Sequence, residues 1–139
     1  MYVVENEITY LAFPLPTAAM VIFGGGYAVG VLEPLGWLTG LDLVYWGDID
    51  THGFAILNRL RRRFGHARSM LMDRATLLAH RSQWVTEARP VTARLDRLDQ
   101  DEHELYRDLV DGTLGPSVRL EQERIGFTAV EQALVCDPA

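Results

Sequence analysis

The 139-residue chain contains no lysine; all thirteen of its basic side chains are arginine. Catalysis through a lysine amine, as a Schiff base or a phosphate-binding P-loop lysine, is therefore excluded. Cysteine is nearly absent too. Cys136 stands alone, so no internal disulfide forms, and it reads as a spare thiol in a reducing compartment, which makes the cytoplasm the expected location. Repeats, linkers and low-complexity segments are missing. With 48% hydrophobic and 23% charged residues, a disordered chain, a collagen-like chain and a cysteine scaffold are ruled out. The length suits a single domain spanning 1–139 with a core of its own.

Positive charge is missing from the first third. Residues 1–50 carry six acids and no base, residues 51–100 ten arginines against four acids, and the remainder three arginines against nine acids, for a net charge of −6. An autonomous nucleic-acid binder is more uniformly basic. This pattern instead allows a basic patch beside an acidic, metal-seeking site. No charge occurs from Ile8 to Leu32, but Pro14, Pro16, Gly24-Gly25-Gly26 and Gly30 interrupt that stretch and no arginine flanks it. These features argue against a membrane span. A signal peptide fits no better, because Glu5 and Glu7 replace its positive start.

Short apolar runs ended by turn residues read as strands of a parallel sheet buried on both faces: Tyr2 to Val4, Met20 to Phe23, Leu41 to Trp46 and Ala67 to Met72. Leu57, Leu60 and Phe64, with arginines at 59, 61, 62 and 63, predict an amphipathic helix stopping near Gly65. Asp99 with Glu102, and Thr128 with Glu131, predict capping boxes for two later helices. Val118 to Glu121 suggests a further strand, and the three glycines a tight turn between strand and helix. Together these elements predict an α/β fold with an open, mostly parallel sheet of about four strands.

The main chemical signal is Gly47-Asp48-Ile49-Asp50-Thr51-His52-Gly53. It lies where a strand ends and a helix begins, the place where parallel sheets bind ligands. Two carboxylates one residue apart on a turn can converge on Mg²⁺ or Mn²⁺. The same residues also suit local capping, with Asp50 or Thr51 at the helix start. Glu5 ends the first strand; if strands one and three are neighbours, Glu5, Asp48 and Asp50 meet at one sheet edge. Glu5 would then be placed as a general acid or base.

Glu5 followed by Gly47-Asp48-Ile49-Asp50 resembles the signature of the Toprim domain, found in topoisomerases, primases and some nucleases. More closely, Val4 to Glu7, Tyr45 to Phe54 and Arg119-Leu120-Glu121-Gln122-Glu123 resemble the C-terminal domain of JetD. JetD is the topoisomerase-VI-like nuclease subunit of Wadjet, a bacterial SMC-type defence system against plasmids. The resemblance implies a Toprim-like three-layer fold and metal-dependent DNA cleavage, with Glu5, Asp48 and Asp50 as catalytic and metal-binding acids. It implies DNA and SMC-type subunits as partners, with a homodimer left open. Such proteins also carry an N-terminal DNA-binding region that this sequence does not show, so the expectation is the catalytic domain alone, a truncated gene product or a degenerate stand-alone copy.

Glu121 and Glu123 would share one side of a strand, as extra metal ligands or as partners of Arg119 and Arg124. His52, Arg61 and Arg62 are candidates for DNA contact, against a solvated helix face. No tyrosine stands in an evident nucleophile position, so water is the expected attacker. Two other functions compete: a docking module of an SMC-type complex that has lost its cutting role, and a haloacid-dehalogenase-type phosphatase. The second is disfavoured by His52 where a threonine or valine is wanted and by the missing lysine.

Overall fold

In the computed structural model, which describes residues 1–136, β1 (Tyr2–Val4), β2 (Val21–Phe23), β3 (Val44–Trp46) and β4 (Arg68–Ser69) form one sheet in the order β2-β1-β3-β4. Every pairing in it is parallel. The expected α/β architecture with an open sheet of four strands is thus the one observed. The register sets Val4 beside Trp46, so the residues that follow, Glu5 and Gly47, leave the sheet side by side.

The central strands are apolar on both faces because both faces are covered. Val3, Val4, Tyr45 and Trp46 are almost wholly buried, together with Ile49, Phe54, Leu57, Leu105 and Leu120. The second run departs from expectation. β2 has only one sheet neighbour, and Met20 and Phe23 remain about half exposed. The third run is shorter than its apolar stretch, since Leu41 precedes the strand and is partly exposed. The uncharged stretch from Ile8 divides among α1 (Glu7–Ala12), β2 and a 3-10 segment, Gly26–Leu32. Among the described residues no helix is long and apolar enough to cross a membrane.

α2 (Thr51–Arg63) is the expected amphipathic helix. α3 (Arg74–Ala79) and β5 (Val85–Thr86) follow it. α4 (Gln100–Asp111) begins in the expected capping box: the Asp99 side chain accepts from the Glu102 amide, and Glu102 accepts from the Asp99 amide. Its end is set by Gly112 in the left-handed conformation. α5 (Phe127–Cys136) starts one residue before Thr128, which corrects the second capping box: Thr128 lies inside the first turn rather than at the cap. The Cys136 side chain lies outside the described residues.

The last expected strand is also corrected. β6 is only Val118–Arg119, and it pairs antiparallel with β5 in a separate two-stranded sheet. A bridge between Ile49 and Leu120 then ties this strand pair to the loop after β3. The long-range pairing carries Arg119 and Gln122 to the carboxyl end of the parallel sheet.

Candidate metal and active site

The loop from Gly47 to Gly53 is built by close backbone approach. A Cβ on Gly47 would collide with the Tyr45 hydroxyl and stand 2.8 Å from Glu5 Oε1. A Cβ on Gly53 would run into the Asp48 carbonyl oxygen. Backbone cannot yield as a flexible side chain can, so Gly53→Ala is expected to cost about 2–3 kcal/mol of stability, the upper range for overpacking. Urea denaturation measures it; an unchanged midpoint would show that the turn relaxes freely.

Asp50 does cap α2, its Oδ1 accepting from the Gly53 amide at 2.7 Å. Capping and a role in the site therefore coexist, because the other oxygen points elsewhere. A second carboxylate, Glu87, reaches the same helix end from 36 residues away. It accepts from the Thr51 hydroxyl at 2.7 Å and from the amides of Thr51 and His52 at 3.3 and 3.2 Å. Glu87 is 3% exposed, so the positive end of α2 is capped twice by acids.

Asp48 is held from both sides. Oδ1 accepts from the Gln122 amide at 2.7 Å and Oδ2 from Arg119 Nη2 at 2.6 Å. The same guanidinium places Nε 3.4 Å from Asp50 Oδ2 and Nη2 3.9 Å from Glu121 Oε1. Gln122 is wholly buried. Its side-chain oxygen accepts from the Asn6 amide at 2.9 Å and its Nε2 donates to the Trp46 carbonyl at 2.7 Å. One residue thereby fastens the end of β1, the end of β3 and Asp48 together.

Glu5 completes the cluster. Its Oε1 is buried with no hydrogen-bond partner. Burial, then the charges of Asp48 and Asp50, push its carboxyl well above the usual range. Asp50 is pushed up to about 6, by burial and by Glu87 and Asp48, against the opposing Gly53 amide and Arg119. Burial first, and then the crowding of the acids, produces this pattern. Among the described residues, no three Asp, Glu, His or Cys side chains are gathered tightly enough to hold a metal ion as they stand. The cation they surround is the Arg119 guanidinium. The donor chemistry still fits a hard divalent ion: Glu5 keeps an unpartnered oxygen, and Asp48 and Asp50 each keep lone pairs beyond those their present contacts use.

The remaining candidates separate. Glu121 pairs with Arg124 at 2.7 Å, the ionic alternative. Glu123 is exposed in a 3-10 turn, Gln122–Arg124, so the strand periodicity expected to align it with Glu121 does not apply. His52 is bound at both ring nitrogens. Nε2 lies 2.8 Å from the Arg89 carbonyl, which can only accept, so Nε2 carries the proton and Nδ1 accepts from the Tyr27 hydroxyl at 2.9 Å. Phosphate contact by His52 requires one of these bonds to open. Arg61 is turned inward: its side chain is 11% exposed and its two terminal nitrogens donate to Glu102. Burial thus removes Arg61 from the DNA-facing set, whereas Arg62 is 66% exposed.

Sequence reasoning missed Arg119 and Gln122 as members of the site, and Glu87 and Tyr27 beside it. Burial and the acids Asp50, Glu5 and Glu87 raise the Tyr27 phenol above its ordinary value, which disfavours a phenolate.

Fold and site define a class: a parallel α/β domain that gathers acids at the carboxyl ends of adjacent central strands. The chain belongs to the family of the C-terminal domain of the Wadjet protein JetD, whose family model matches residues 1–134. No curated protein matches the chain.

Proposed function

We propose that this domain hydrolyses DNA phosphodiester bonds with Mg²⁺ or Mn²⁺ held by Glu5, Asp48 and Asp50, in the cytoplasm, as part of an SMC-type assembly directed against plasmids. The observation that supports the reading is Glu5 lying just beyond one of two adjacent strand ends, with a buried, unpartnered oxygen and near enough to Asp48 and Asp50 to feel their charge. A bound divalent ion supplies charge neutralisation at the phosphate and a more acidic water. The chain's own residues do the rest. Glu5, whose Oε1 has no hydrogen-bond partner, is placed to act as general base or acid. Gln122 keeps Asp48 aimed. Arg119, once displaced from the carboxylates, offers a planar fork that suits phosphate oxygens.

A second reading, a docking module without catalysis, draws support from the same Arg119, which already pairs with Asp48 and Asp50. Melting with and without Mn²⁺ separates the two. An ion at about 100 times its Kd adds about 2.7 kcal/mol, roughly 5–10 °C for a domain of 139 residues. Asp48→Ala and Asp50→Ala should abolish the rise, and Arg119→Gln should enlarge it by removing the competing cation. In the assembly, metal-dependent nicking should disappear with Asp50→Ala. A wild-type domain indifferent to Mn²⁺ and a full assembly that never nicks would favour the docking module.

A further inference from the structure

The proposed chemistry leaves unassigned a cleft of about 600 Å³ along α2, lined by Arg59, Arg62, Arg63 and Arg94 with Glu33 as the only acid. Its floor is the face of α2 carrying Ala55, Arg59 and Arg62, positions spaced by three and four residues and therefore stacked on one side of a helix. His52 begins that face one turn earlier, beside the cap of Asp50. The walls are held to this floor by specific bonds. On one side Glu33 accepts from Arg59 at 3.3 Å through its side chain and from Arg63 at 3.0 Å through its carbonyl. On the other, the loop after Glu87 is pinned to α2 where Val91 donates to the Thr51 hydroxyl at 2.6 Å and Arg97 to the Asn58 side chain at 2.7 Å.

We infer that this cleft is the seat of one strand of the DNA backbone beside the acidic site, a proposal that rests on the nuclease reading above. Three observations favour phosphate. The lining carries four guanidinium groups against one carboxylate. Arg94 is exposed and makes no ion pair or hydrogen bond among the described residues. Arg62 has only Asp96, at 3.9 Å between two exposed groups, a contact worth little. Arginines held open in a concavity, rather than neutralised on a flat surface, suit backbone oxygens. The placement also answers an electrostatic problem. The acid cluster repels phosphate, whereas the cleft attracts it, and Asp50, the cap of α2, belongs to the cluster while the cleft runs along the same helix. At 1.5 Å per residue Arg62 stands roughly 18 Å along the axis from Asp50, a reach of about five nucleotides at 3.4 Å each.

The test is fluorescence anisotropy of a labelled 20-base-pair duplex with the full chain in chelator, at graded NaCl. Arg62→Gln/Arg94→Gln should weaken binding about tenfold or more at low salt and flatten the log–log salt slope by about 2, since each neutralised phosphate contributes about 0.9. Arg107→Gln, on α4 in a separate cleft with Arg74, Asp108 and Asp111, should change neither. An unchanged slope in the double variant, equal losses in the Arg107 control, or no duplex binding by the wild type at low salt would each overturn the inference. The metal reading is scored separately. Arginine-dependent binding in a domain that ignores Mn²⁺ would support the cleft while sinking the metal site, whereas a normal Mn²⁺ response with no arginine dependence would sink the cleft alone.

Discussion

Arg61→Ala is expected to lower the stability of the domain by about 3–5 kcal/mol. Arg61 lies in an arginine run that looks solvent-facing, yet its guanidinium meets Glu102 with both side chains nearly inaccessible. It also donates to the carbonyls of Ala67 at 2.7 Å and Arg97 at 3.0 Å, joining α2 to α4, to the entry of β4 and to the loop that walls the arginine cleft. Removing it leaves a buried carboxylate with only Ser69 and the Asp99 amide as donors. Glu102 is held below its ordinary value: burial alone would raise it, but Arg61, Ser69 and Asp99 outweigh that. A depressed carboxyl stabilises the fold above its unfolded value and loses that contribution as pH falls through the folded one. The gap between wild type and Arg61→Ala should therefore be full at neutral pH and narrow below about 4.5. Urea titrations at two pH values measure it. Arg61→Lys should recover only part, because an ammonium cannot reproduce the fork. A neutral Arg61→Ala would mean that the helix pair tolerates an unpaired buried charge.

The contrast between Arg61 and Arg62 shows where the sequence is readable and where it is not. Local signals carried well: apolar runs ended by turn residues marked the strands, the Asp99–Glu102 pair marked the start of α4, and Gly47-Asp48-Ile49-Asp50 does lie between the end of β3 and the start of α2. Each depends on residues a few positions apart. What escaped depends on distant pairing. Arg119 and Gln122 reach Asp48 because a two-residue strand at Val85–Thr86 pairs with β6 and Leu120 bridges to Ile49, and strands that short have almost no periodicity to detect. Glu87 joins the helix start across 36 residues by side chain alone. Arg61 and Arg62 are adjacent and chemically identical; only the position of α4 decides which of them is buried.

The same distant contacts shape the expected behaviour of Asp50→Asn. In chelator at pH 8 this variant should be more stable than wild type, by at most about 3 kcal/mol, and the difference should vanish as pH falls below about 4. Asp50 is 2% exposed and its carboxyl is pushed from 3.8 up to about 6, by burial first and then by Glu87 and Asp48. A raised folded value means that the native state binds the proton more tightly than the unfolded chain. Ionisation of Asp50 therefore costs folding free energy as pH rises between those two values, and the cost is complete above about 6. Asparagine has no such cost, and its oxygen can still accept from the Gly53 amide to cap α2. Arg119 loses one partner but keeps Asp48 at 2.6 Å. Saturating Mn²⁺ should reverse the order, because the wild type gains a ligand that binds only its folded state while the variant has lost one carboxylate. Melting curves of both proteins across pH 4–8, with and without Mn²⁺, contain the whole test. If Asp50→Asn is instead the less stable protein at pH 8 in chelator, the Arg119 pairing outweighs burial. The acids would then be a finished structural network, as a docking module requires, rather than a site held open for a cation.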